Sequence, residues 1–137
     1  MLFTTASLLV DFGLTVLIWM VQLIIYPSFS HYSLKELVKW HRKYTKLISY
    51  LVGPLMLSQL AFALWRITET ITFFDSGSLL MVFLIWGITI LQFVPRHRNI
   101  SRGRINKQLL VDIVDKNWSR TAMWTLLFLW NVVEHLF

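Results

Sequence analysis

The sequence predicts an all-α fold, a polytopic integral membrane protein built as a bundle of four transmembrane helices. Three observations lead there. Of the 137 residues, 56% are hydrophobic and only 15% are charged, against about 45–50% and about 25% in soluble domains. Four apolar stretches alternate with polar connections. The 13 Lys and Arg, set against 7 Asp and Glu, concentrate in two of those connections. The length suits one domain, so 1–137 is read as a single four-helix transmembrane domain. There is no cysteine, which excludes disulfides, thiolate metal sites and cysteine nucleophiles.

A membrane helix needs about 20 mostly apolar residues at about 1.5 Å each. The first span covers about 2–26 and is expected to stop at Pro27. It lacks a basic n-region and a small-residue cleavage site, so it reads as a mature span. The second span covers about 47–67, the third about 79–94 with a stop at Pro95, and the fourth about 120–137. Ser33-Leu34-Lys35-Glu36 fits a capping box, so a helix starting at Leu34 is expected to run into the second span. Gly53-Pro54 predicts a kink near Tyr50–Pro54. In the third connection, Ile105, Leu109 and Ile113 share a face, which predicts a short amphipathic surface helix over about 104–116.

The connections set the direction. Residues 28–46 carry Lys35, Lys39, Arg42, Lys43 and Lys46. Residues 96–119 carry Arg96, Arg98, Arg102, Arg104, Lys107 and Lys116. The second connection carries one basic residue, Arg66, with Glu69 and Asp75. Lys and Arg stay on the cytoplasmic side. The expectation is a multi-pass inner-membrane protein with both termini periplasmic and the two basic connections facing anionic lipid headgroups. Confinement of the basic excess to those connections argues against nucleic acid as a partner.

Helical residues advance about 100° each, so polar stripes can be read from spacing. Thr4, Ser7, Asp11, Thr15 and Gln22 share a face in the first span. His41, Thr45, Ser49, Gln59 and Arg66 align along the second helix. Asn117, Arg120, Thr121, Trp124, Asn131 and His135 align along the fourth, and Thr89 with Gln92 along the third. Polar side chains are costly in lipid and face the bundle interior, so the helices should enclose a polar seam. Depth sorts it into two groups. Near the cytoplasmic face, where Tyr26 also lies, His41, Tyr44, His97, Asn117, Arg120, Gln22 and Gln92 form a candidate ligand-binding group. Asp11, Gln59, Arg66, Asn131 and Glu134 form a second polar cluster on the outer side.

Each residue alone also has a structural reading. Asn117 could cap the fourth helix, Arg96 and Arg120 could snorkel to the interface, and the glutamines could only tie helices together. Asp11 could sit in the outer headgroups. His41 and His97 are weak metal candidates, because two histidines do not specify a closed site. None of the motifs HExxH, GxGxxG, P-loop, EF-hand or GxSxG occurs, so a metal or heme reading is weak, and the cofactor and enzymatic activity both stay open.

The run Tyr26-Pro27, Trp40-His41-x-x-Tyr44, Gly53-Pro54, Val94-Pro95-x-His97 and Asn117-Trp118-x-Arg120-Thr121-x-x-Trp124-Thr125 resembles a family of small bacterial four-helix inner-membrane proteins. A fainter similarity is to anthrone-oxygenase-like membrane proteins, from which no activity is carried over. The resemblance implies a second histidine where Tyr44 stands and an acidic residue where Gln59 stands. Loss of both would leave fewer ligands for a metal. Three functions fit this sequence: a membrane protein with a ligand-binding or catalytic seam, a non-enzymatic subunit of another membrane protein, or a small oligomeric transporter.

Overall fold

The computed structural model of the protein describes residues 2–136. Phe137, the last residue of the expected fourth span, lies outside them. The described residues are helical almost throughout and contain no strand. Four rods follow one another: α1 over Leu2–His31, α2 over Leu34–Glu69, α3 over Phe73–Ser101 and α4 over Lys107–Leu136. The first three are long and apolar enough to cross a membrane. Each rod packs against two neighbours, in the order α1, α2, α3, α4 and back to α1.

The starts and stops follow from local chemistry. Ser33 Oγ accepts the Glu36 N–H at 3.4 Å and caps α2. Thr72 Oγ1 accepts the Asp75 N–H at 3.0 Å and caps α3. Asn106 Oδ1 accepts the Leu109 N–H at 2.7 Å at the start of α4. Side-chain oxygens at these positions satisfy N–H groups that the helix leaves free. α3 ends where Arg104 N–H donates to the Asn99 carbonyl at 2.9 Å and Gly103 N–H to Ile100 at 3.0 Å. Gly103 holds φ at +76°, the left-handed conformation such a paired stop requires.

Two expectations about helix ends are corrected. Pro27 and Pro95 do not stop their helices. Each lies two residues after a five-residue π turn, Val21–Ile25 in α1 and Thr89–Phe93 in α3. Proline lacks an N–H and its ring collides with the carbonyl one turn back. A wider turn just before it relieves that collision, and the helix continues. α2 likewise runs unbroken through Gly53-Pro54. The predicted amphipathic helix over 104–116 is not separate. From Lys107 onward it is the beginning of α4, and Ile113 is fully buried in the bundle. Asn117 therefore lies inside a helix rather than capping one.

The apolar residues point both ways. Leu14, Ile18, Phe29, Leu37, Ile85, Phe93 and Leu127 fill the interior. Leu9, Phe12, Leu51, Leu57, Leu80, Phe83, Leu91 and Leu126 are exposed on the outside. Asp11, Gln22, His41, Gln59, Asp75, Asn117, Arg120 and Asn131 are buried between them. An apolar exterior around a polar interior is the arrangement lipid favours.

Candidate functional site

The two π-turn prolines bring α1 and α3 together at the basic end of the bundle, where the connections 28–46 and 96–119 lie. Tyr26 precedes Pro27 and His97 follows Pro95, and their side chains meet: Tyr26 Oη lies 2.8 Å from His97 Nε2. His97 Nδ1 lies 2.8 Å from His41 Nε2. His41 Nδ1 lies 2.9 Å from Ser101 Oγ. The result is a four-residue hydrogen-bonded relay, Tyr26–His97–His41–Ser101. Tyr26 and His41 are buried. The capped end of α3 fixes Ser101, and Arg42 Nε donates to the Ser101 carbonyl at 2.8 Å.

A neutral imidazole has one donor and one acceptor nitrogen. The relay is therefore complete in either of two directions. In the first, Tyr26 O–H donates to His97, His97 to His41, and His41 to Ser101. In the second, every bond reverses. A chain with two complete directions can pass a proton along its length.

Arg120 is only partly satisfied by the protein. It is only 6% exposed. Its guanidinium carbon stands 4.3 Å from the Phe93 ring centre and 5.2 Å from that of Trp124, within cation–π range. Its Nε has no hydrogen-bond partner. Among the described residues no carboxylate pairs with it, since the ion pairs found there both belong to Arg66.

Above Arg120 opens a cavity of about 470 Å³, within the range of small-molecule sites. Ile18, Ile48, Val52, Met56, Trp86 and Phe93 line its apolar walls. Tyr26, Tyr44, His97 and Arg120 supply its polar end. Trp86 Nε1 and Thr89 Oγ1 also border it, and both are buried without a partner. Buried polar atoms are normally paired, and three unpaired ones belong to residues that line this cavity.

The structure brings most of the expected cytoplasmic-side residues together. His41 and Tyr44 pack against Phe29, and the Tyr44 ring contacts both His41 and His97. Gln22 joins a neighbouring knot. It accepts from Asn117 Nδ2 at 2.9 Å and Thr121 Oγ1 at 3.1 Å, and donates to the Val114 carbonyl at 3.1 Å. Gln92 does not join. It is half-buried and gives only its backbone carbonyl, to Arg96. The π turn Thr89–Phe93 changes the rotation of α3 at that point, so the simple 100° phase fails there. Tyr26, Ser101, Phe93 and Trp124 belong to the site and were not among the expected ligand residues.

The outer cluster also assembles. Asp11, 2% exposed, accepts from Gln59 Nε2 at 2.6 Å and Asn131 Nδ2 at 2.7 Å. It is buried in the bundle. Arg66 binds Asp75 at 2.7 Å, Asn131 at 3.4 Å and the Glu134 carboxylate. Asp75 and Ser78 complete this cluster, and Ser78 Oγ donates to Asn131 Oδ1 at 2.6 Å. The spacing Thr72-x-x-Asp75 is the signal that could have found Asp75. Trp124 Nε1 donates to Gln59 Oε1 at 3.1 Å, so one indole touches both groups.

A metal reading gains no support from the donor set. Among the described residues no three His, Asp or Glu side chains converge. All four ring nitrogens of His41 and His97 are engaged in the relay. No family model, curated protein or solved structure matches the chain.

Proposed function

We propose that the protein is a multi-pass inner-membrane protein that binds a ligand at the cytoplasmic end of a four-helix bundle, where it exchanges a proton with the Tyr26–His97–His41–Ser101 relay. The observation that carries this reading is the placing of that relay beside a buried Arg120, which has no carboxylate partner among the described residues, at the polar end of one cavity.

Four passages are supported by length. α4 has 30 residues, about 45 Å at about 1.5 Å each, which exceeds the roughly 30 Å hydrocarbon core. Its apolar run is interrupted by Asn117, Arg120, Thr121 and Asn131, which lie on its inward side. Leu126, Leu129 and Val133 cover its outer side. The basic connections 28–46 and 96–119 support a cytoplasmic site facing anionic headgroups, with both termini periplasmic. The resemblance to small bacterial four-helix membrane proteins fits this reading.

The outer cluster reads as a clamp, because Gln59 and Asn131 satisfy Asp11 while Asp75 and Glu134 satisfy Arg66. The test is ligand retention and cellular phenotype in Tyr26→Phe and His41→Gln. Both keep much of the side-chain shape and break the relay. Loss of phenotype with normal membrane insertion is expected. An unchanged phenotype in both variants and in Arg120→Gln removes the reading.

A further inference from the structure

The cavity at Arg120 has a shape and a charge that together select a class of ligand. Its lining on α2 runs from Tyr44 to Leu57, about 20 Å of helix at about 1.5 Å per residue. That compares with about 15 Å for half of a hydrocarbon core. The slot is therefore long, like one lipid chain, rather than rounded. Leu57, Ile90 and Val94 line it and are also exposed on the outer surface of the bundle. Its mouth thus opens between α2 and α3 on an apolar face, toward lipid. Its polar end is cationic: Arg120 is buried, clamped by Phe93 and Trp124, and without a carboxylate. A buried guanidinium is costly until an anion pairs with it, and it matches carboxylate or phosphate oxygens in particular.

We infer that the cavity takes an amphiphile with a hydrocarbon chain and a small acidic head, carboxylate or phosphate monoester, entering sideways from the bilayer. The chain lies along Ile48, Val52 and Met56. The head pairs with Arg120 beside Tyr26 and His97. This rests on the ligand site proposed above and names its substrate class.

Gly53 separates the chain from the head experimentally. It lines the cavity, and a Cβ placed there meets nothing within 4 Å. The backbone there has room for a side chain, so Gly53→Leu should block the slot. The probes are oleate, oleyl alcohol and oleoyl lysophosphatidate, added to the delipidated full-length protein in mild detergent and read by native mass spectrometry. For the unaltered protein, one equivalent of oleate or lysophosphatidate is expected to bind at least tenfold more tightly than the alcohol. The preferred acid identifies the head. Arg120→Gln should weaken the acids about tenfold to a hundredfold, the range for a lost charged hydrogen bond, and leave the alcohol unchanged. Gly53→Leu should remove all three. The comparison of acid with alcohol needs no variant, so a folding defect in Arg120→Gln does not blunt it. Equal affinity for acid and alcohol overturns the acidic head while the ligand site stands. Binding of none of the three overturns the chain-shaped slot. Undiminished binding in a folded Gly53→Leu places the amphiphile elsewhere and overturns the inference.

Discussion

Asp11→Asn tests whether the buried network is as strictly oriented as its geometry implies. Asp11 Oδ1 accepts from Gln59 and Oδ2 from Asn131. Neither partner can turn over. Gln59 holds its oxygen against Trp124 Nε1, and Asn131 holds its oxygen against Ser78 and Arg66. An asparagine at position 11 keeps one accepting oxygen and places an NH₂ against a fixed NH₂. The change removes one hydrogen bond to a charged group, about 1.5–3 kcal/mol, and strands buried donors at about 1–3 kcal/mol. Two effects lower the sum. Interhelical hydrogen bonds in membrane proteins average only about 0.6 kcal/mol, and the neutral amide is cheaper to bury than a carboxylate. The expected loss is about 2 kcal/mol, more than most single substitutions cost. Unfolding by sodium dodecyl sulfate in mixed micelles, followed by far-ultraviolet circular dichroism, reads it. A variant within about 0.5 kcal/mol of the unaltered protein, at the level of an inert surface change, would refute the fixed-donor argument.

Three further outcomes are expected. A Cβ at Gly77 would stand 2.9 Å from Trp130 Cζ2, so Gly77→Ala must displace an indole that donates to the Phe74 carbonyl; the cost is about 1–3 kcal/mol in the same assay. Gly87→Ala meets nothing within 4 Å and should be neutral or stabilising by up to about 1 kcal/mol, so a loss there contradicts the packing of α3. Because the chain has no cysteine, single cysteines at the exposed positions Lys39 and Arg102 should react with an impermeant maleimide only after the cytoplasmic side is opened, and one at Ile71 should react from outside; the reverse pattern inverts the topology.

Much of the bundle is legible in the sequence because lipid leaves polar side chains few places to go. Asp11, Gln22, His41, Gln59, Asn117, Arg120 and Asn131 could be assigned inward from spacing alone, and all seven are buried. The misreadings of Pro27, Pro95 and Gln92 share one cause. A π turn adds a residue to a helix without leaving a mark in hydrophobic periodicity. Pro27 and Pro95 therefore looked like stops, and Gln92 was phased to the interior. The same turns lie beside Tyr26 and His97, so the relay could not be read from the stripes, although both residues were visible as polar groups near the basic end. Ser101 was hidden for a different reason. Its position depends on the Gly103 cap that ends α3, a turn whose partner across the bundle no local pattern specifies. The start of α4 was blurred because Ile105, Leu109 and Ile113 suit a surface helix and a buried one equally well, and only Asn106 fixes where the helix begins.

The central claim is that the cavity above Arg120 holds a ligand in the membrane. Native mass measurement of the protein extracted in mild detergent, without added lipid, tests it most directly when run beside Gly53→Leu. The account predicts one retained adduct per chain in the unaltered protein and its loss in the variant. An adduct-free chain, or an adduct held equally by a folded Gly53→Leu, would contradict it.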